Sequence, residues 1–165
     1  MKKNLLYLLC FLACTFYNNL FAQELFPNGG FEQWHQGNGF ERPVSWETLD
    51  SSIVGFAGPT ITKVNGQDVH SGNYAIRLES LNQLPIGFIP GVATTGRLNL
   101  TSQLIEGGTV CTERPDSISG WYKYFPALND SGGVQVLLLK NNGFSRDTIG
   151  KAQFFTTQTT SQYTH

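Results

Sequence analysis

The sequence predicts an all-β fold, a β-sandwich or jelly roll, and three observations carry that expectation. Aromatic residues reach 13% while charged residues are only 14%, and Gly, Ser, Thr and Asn crowd between the apolar runs. That is the composition of a secreted β domain rather than a helical bundle. The apolar runs are short, and the clearest of them alternate with polar residues in the period of a strand. No segment after residue 22 sustains a helical period, and about eight to ten strands at short spacing fit a sandwich or jelly roll. A length of 165 residues suits one domain, and no internal repeat is visible.

Residues 1–22 read as an export signal. Lys2 and Lys3 form a positive start, Leu5 to Tyr17 an apolar core, and Leu20-Phe21-Ala22 a small-residue cleavage site before Gln23. The apolar run is too short for a transmembrane span, and its flanks are those of a signal peptide. The alternative is lipidation at Cys14, after Phe11-Leu12-Ala13. Export places the chain outside the cell or on its outer surface; the alternatives are the periplasm or a lipid anchor. Cleavage after Ala22 leaves 23–165 as the β-sandwich domain. It removes two lysines from a chain whose net charge is already −1, so no basic patch argues for nucleic acid. It also removes Cys10 and Cys14. Cys111 is then left alone, no internal disulfide is possible, and Cys111 is expected to be a small buried hydrophobe.

The folded domain opens at Leu25-Phe26-Pro27-Asn28-Gly29-Gly30-Phe31-Glu32-Gln33-Trp34, a Pro-Asn-Gly-Gly turn flanked by aromatics and carrying one carboxylate. His35 to Gly39 is a loop by composition. Pro43 rules out a central strand position nearby, and Trp46 is a core or edge aromatic. Ile53 to Gly58 is ambiguous. Pro59 to Val64 alternates as a half-buried strand, Asn65-Gly66 turns, and Val69 to Asn73 turns again. Asn73 to Ser80 is the cleanest strand, with Tyr74, Ile76 and Leu78 on one face and Ala75, Arg77 and Glu79 on the other. Pro85 to Gly91 is apolar but broken by Pro and Gly. Val92 to Leu100 holds one strand or two. Turns follow at Glu106-Gly107-Gly108 and Arg114-Pro115-Asp116. Ser117 to Phe125 is the second strong strand, with Trp121, Lys123 and Phe125 opposite Ile118, Tyr122 and Tyr124. Val134 to Lys140 is nearly all apolar, which predicts burial on both faces. Asn141-Asn142-Gly143 turns, and Thr148 to Thr156 returns as a strand.

Two sets of residues carry a resemblance. Asn28-Gly29-Gly30-Phe31-Glu32, then Trp46, then His70-Ser71-Gly72-Asn73-Tyr74-Ala75-Ile76-Arg77-Leu78 is similar to the first half of the galactose-binding-like jelly-roll modules appended to xylanases and other glycanases. Arg114 to Tyr124, with Trp121-Tyr122-Lys123-Tyr124 at its end, resembles more closely the carbohydrate metabolism domain of secreted bacterial proteins, which shares the other two features. The likeness covers Leu25 to about Gly150. Similar domains continue with two or three further strands, so the resemblance implies a sandwich lacking its last strands at the C-terminal side.

The resemblance implies that Glu32 binds a structural calcium ion with backbone carbonyls near Ser71 and Gly72, since calcium takes six to eight oxygens. It also implies a late Asp ligand, which has no counterpart here. The alternative is a Glu satisfied by backbone N–H groups or solvent. Either way Glu32 is expected to meet the His70-Ser71-Gly72 turn. For a glycan ligand the candidates are Trp121 first, then Trp34, Trp46, Tyr122 and Tyr124, because sugar rings stack their apolar faces on exposed aromatics. Arg77 and Lys123 would bond to hydroxyls. The competing reading of each aromatic is core packing.

Catalysis has less behind it. Glycoside hydrolysis needs two carboxylates about 5–10 Å apart, and nothing pairs any two of the twelve. His35, His70 and His165 lack metal-ligand spacing, and no nucleophile elbow, zinc-binding helix or phosphate loop is present. The sequence therefore predicts an exported, non-catalytic carbohydrate-binding or cell-surface accessory module. The alternatives are a glycoside hydrolase with two facing acids, and a structural or adhesive surface domain without a small ligand.

Overall fold

The computed structural model describes residues 26–102, 104–127, 130–143 and 145–165; residues 1–22, read above as an export signal, with Cys10 and Cys14, lie outside them. The described chain is all-β. Its strands are β1 (Trp34–Gln36), β2 (Glu41–Pro43) and β3 (Glu47–Thr48), then, after one short helix α1 (Asp50–Ile53), β4 (Ile61–Val64). A single 3-10 turn, Gly66–Asp68, leads to β5 (Ala75–Leu78), β6 (Leu81–Gln83), β7 (Gly87–Ile89), β8 (Ala93–Thr94), β9 (Gly96–Asn99) and β10 (Leu104–Gly107). The last four are β11 (Tyr122–Tyr124), β12 (Gly132–Asn141), β13 (Arg146–Thr156) and β14 (Thr160–Thr164). Among the described residues no helix is long and apolar enough to cross a membrane.

Every ladder is antiparallel and joins two strands. Hairpins form β1–β2, β4–β5, β6–β7, β9–β10 and β12–β13, while β3–β8 and β11–β14 join distant segments. The two continuous sheets of the expected jelly roll are not formed among the described residues. Gly66 and Gly143 take the left-handed φ that the turns expected there require, whereas Glu106 and Gly107, expected in a turn, end β10 as ladder partners of Arg97 and Gly96.

The core lies where α1 meets the start of β4. Ile53, Ile61 and Ile89 are its buried apolar residues, joined by Pro43, Thr48, Asp50 and Thr60. Asp50 has no solvent exposure. Its carboxylate accepts hydrogen bonds from Thr60 N (2.8 Å), Thr60 Oγ1 (2.7 Å) and Ile61 N (3.1 Å). Three donors replace the water shell that burial removes, and they fix where β4 begins. From there β4 pairs β5, Ile61 opposite Leu78 and Lys63 opposite Ile76. Of the strand expected at 73–80, β5 covers Ala75–Leu78, and Leu78, expected on the apolar face, is exposed; Ile53 to Gly58 resolves as the end of α1 and a turn.

Val92 to Leu100, read as one strand or two, holds two, β8 and β9. Three expectations of strand and burial need correction. Of Ser117 to Phe125, only Tyr122–Tyr124 is strand, because β14 offers its ladder partners at those residues alone. Cys111 is half-buried, not buried, and its Sγ lies 3.3 Å from the Glu113 carbonyl oxygen. Val134 to Lys140 is not buried on both faces. It forms a long ribbon with β13, and register puts Val134, Val136 and Leu138 with Phe154, Ala152 and Gly150 on one apolar face. Gln135, Leu137 and Leu139 stand on the other with Gln153, Lys151 and Thr148. Val134 remains 56% exposed, because among the described residues the ribbon pairs with no third strand.

Candidate functional site

The site is built around the 65–74 turn, and the opening turn delivers its carboxylate. Asn28 and Phe31 take positive φ (55° and 57°), folding 26–31 tightly, with Gly29 N donating to Phe26 O and Phe31 N to Asn28 O. The Asn28 side chain ties this turn to two other segments. Its Nδ2 donates to Gln33 O (2.8 Å) and Val44 O (3.1 Å), and its Oδ1 accepts from Gln33 N (2.9 Å). Trp46 donates from Nε1 to Pro27 O (3.2 Å) and packs on Phe31 with ring centroids 5.0 Å apart. Trp34 donates from Nε1 to Phe31 O (2.6 Å), and Lys63 Nζ stands 5.8 Å from its ring centroid. Both indoles are half-buried and engaged in holding this turn.

Glu32 then reaches across to the segment expected from the sequence, where it lies against Gly72 of the His70-Ser71-Gly72 turn but bonds to the two residues that follow it. Its carboxylate accepts from Asn73 N (2.9 and 3.2 Å), Asn73 Nδ2 (3.2 Å) and Tyr74 N (3.3 Å). These donors, the Asn73 backbone N–H foremost, hold the Glu32 carboxyl below its ordinary value of 4.5. Gly72 turns beside it at φ +78°, and a Cβ there would run into Glu32 Oε1. Gly72→Ala is therefore expected to cost about 1–2 kcal/mol from left-handed backbone alone and to evict Glu32 as well, measured as a fall in Cm at unchanged m.

The pH dependence has a definite sign. A carboxyl whose folded value is lowered contributes stability that is fully present above its unfolded value and lost as pH falls through the folded one. Melting temperature is thus expected to drop more steeply below pH 4.5 in the parent chain than in Glu32→Gln. Parallel curves for the two would exclude Glu32 as the source.

On its other side the turn meets β11 and β14. The His70 ring stacks on Trp121 with centroids 4.1 Å apart and planes 12° apart. Tyr163 meets His70 edge-on at 5.3 Å, and His165 lies 5.1 Å from Trp121. Tyr163 Oη donates to Asp68 O (2.7 Å). Lys123 Nζ donates to Gln67 O (3.3 Å), lies 3.6 Å from Asp68 Oδ1 and stands 4.6 Å from the Tyr163 ring centroid. Burial, and then the Asp68 charge, raise the Tyr163 hydroxyl above its ordinary value.

Strand alternation sorts the remaining candidates. Trp121 and Lys123 face the turn, whereas Tyr122 and Tyr124 face the ribbon. Tyr122 lies 5.1 Å from Phe154, and the Tyr124 ring covers Gly132, where a Cβ would come within 2.6 Å of it. Arg77 pairs with Glu79 (2.7 Å) on exposed β5. Trp121 is 51% exposed, the most open indole of the three.

No protein-family model, curated protein or solved structure matches this chain. The site is therefore read from its own chemistry. It offers an indole edge and face, an ammonium, a carboxylate and imidazoles at one loop end, which is equipment for holding a polar ligand with apolar faces. Among the described residues no three His, Cys, Asp or Glu side chains cluster as metal ligands, and Glu32 is the one carboxylate bonded to the turn at Asn73. Many of the other carboxylates have structural partners: Glu41 with Lys63, Glu47 with Arg42, Glu106 with Asn99, Asp147 with Asn142, and Asp50 in the core. Of the residues gathered here, the sequence names Glu32, Trp121 and Lys123 as candidates and gives no role to Tyr163, which β14 brings in from 95 residues beyond Asp68.

Proposed function

We propose that this chain is an exported, non-catalytic glycan-binding or cell-surface accessory module, and that it takes saccharide at the Trp121 end of the fold. The observation that carries the reading is the half-exposed Trp121 indole, steadied by His70 and bordered by Lys123 and Asp68. A pyranose ring buries its C–H face on such a surface while its hydroxyls bond to the bordering charges. The all-β architecture and the Glu32 contact with the 70–74 turn support the likeness to the galactose-binding-like jelly rolls and the carbohydrate metabolism domain. A glycan array on the intact chain, followed by titration of each hit, tests this. Trp121→Ala is expected to weaken binding about tenfold or more, as loss of an aromatic anchor does; an empty array, or unchanged binding by the variant, would sink the proposal. The calcium site at Glu32, Ser71 and Gly72 is part of the same proposal. Calorimetric heat with calcium that disappears in Glu32→Ala would assign the ion, and no heat would leave Glu32 as a clamp on the turn.

A second reading, a structural or adhesive surface domain, draws support from the apolar face of the β12–β13 ribbon. It predicts that the intact chain self-associates through that face and that Phe154→Lys prevents it.

A further inference from the structure

Away from Trp121, a cleft runs from the β1–β2 hairpin to β9. It consists of two adjoining hollows of about 360 and 430 Å³ that share His35 and Arg42, each within the lower range of small-ligand sites. Three features of its lining point to one kind of ligand. The first is charge. His35 and Arg42 are direct partners in the β1–β2 register, so their side chains stand on the same face, and Arg97 of β9 lines the same cleft. The second is preparation. Glu47 Oε2 accepts from Arg42 Nη1 at 3.0 Å, which orients the guanidinium while using one of its five N–H groups. Arg97 lies opposite Glu106 in the ladder, yet Glu106 is taken by Asn99 Nδ2 at 2.8 Å. Among the described residues Arg97 forms no ion pair. The third is an apolar wall: Trp46, its Nε1 turned away to Pro27 O, lines the hollow that holds both arginines.

We propose that this cleft binds an acidic saccharide, with Arg97 and Arg42 gripping a singly charged oxyanion and the sugar ring lying against Trp46. The oxyanion is a uronate carboxylate or a sulfate ester. Guanidinium forks match such oxyanions in two-point contact, and the ring stacks as it would on any indole. The single charge follows from Glu47. It cancels Arg42, so the cleft has one uncompensated guanidinium, and a doubly charged phosphate would meet like-charge repulsion from the Glu47 carboxylate. The saccharide part of this assignment rests on the glycan-binding reading; the anion grip rests on the cleft alone. The sites are separate, since Trp121 directly precedes β11 and stacks on His70 of the 65–74 turn.

Calorimetry on the intact chain with three probes tests it: tetragalacturonate, a sulfated carrageenan tetrasaccharide and neutral cellotetraose. One of the two acidic probes is expected to bind, and which one does identifies the oxyanion. Arg97→Gln is expected to weaken that binding about tenfold or more, the loss expected for a charge-assisted hydrogen bond. Arg97→Lys should recover part of it, and raised salt should weaken it further. Arg146→Gln, which removes the same charge from exposed β13, should leave it unchanged. Equal binding by the parent chain and Arg97→Gln, or equal losses in Arg97→Gln and Arg146→Gln, would overturn the cleft assignment. Binding of cellotetraose alone, lost in Trp121→Ala, would overturn the cleft and leave the glycan reading intact. Silence from all three probes and from the glycan array would end both.

Discussion

Asp50→Ala is expected to destabilise the fold by about 3–5 kcal/mol, the range for stripping the partner from buried polar groups that have no other. The substitution leaves the Thr60 and Ile61 N–H groups and the Thr60 hydroxyl facing a dry methyl group. It also opens a void where the carboxylate stood. For a chain of this size each kcal/mol moves the melting temperature by about 2–4 °C, so a fall of about 6–20 °C is expected in a thermal melt followed by circular dichroism. Asp50→Asn should cost less, because one amide oxygen still accepts while its NH₂ group meets a donor. A loss under about 1 kcal/mol in Asp50→Ala would mean that water reaches these donors, contrary to the complete burial of this residue.

Ile61→Ala is expected to cost about 2–5 kcal/mol, the usual range for emptying a buried aliphatic site. Ile61 is 1% exposed and is one of three buried apolar residues among those described, so its neighbours have little else to close upon. The effect should travel. β4 holds β5 in register, and β5 follows directly from Tyr74, whose N–H is bonded to Glu32. Hydrogen exchange should therefore quicken at the Asn73 and Tyr74 amides as well as in β4; protection unchanged at those two amides would show that the turn is held from the Glu32 side alone. The two substitutions should not add. Ile61 N–H is itself an Asp50 donor, and the double variant should lose less than the sum of the singles.

What could be read in advance followed the range of the interaction responsible. The turns at Asn65-Gly66 and Asn141-Asn142-Gly143 rest on local backbone preference and are where they were expected, while Glu106-Gly107, read as a turn, extends β10 because β9 offers it ladder partners. The reach of Glu32 to the 70–74 segment spans 41 residues, and it was expected from a resemblance of two short sequences, not from any local backbone preference. Asp50 carried no such mark. In Leu49-Asp50-Ser51-Ser52 it reads as an ordinary turn carboxylate, and its burial depends on donors ten and eleven residues away. The cleft was equally silent, since Arg42 and Arg97 meet only through the β3–β8 crossing and the approach of β9 to β3. The ribbon misled for a related reason. An apolar run says what a strand could bury, but burial needs a covering layer, and among the described residues Val134 is left 56% exposed.

The turn that opens the domain also sets a chemical clock. Asn28 precedes Gly29, a pairing in which the glycine nitrogen readily attacks the side-chain amide and converts asparagine to aspartate or isoaspartate; such asparagines are among the thermolabile residues of proteins. In the folded chain both partners of that reaction are occupied, the Asn28 amide by Gln33 and Val44 and the Gly29 nitrogen by Phe26 O. The product could not take up the same position, because a carboxylate cannot donate to the Gln33 and Val44 carbonyl oxygens and would be repelled by both. Folding thus protects the residue whose ageing would block refolding, and material held unfolded should lose the ability to recover in step with deamidation of its Asn28 peptide.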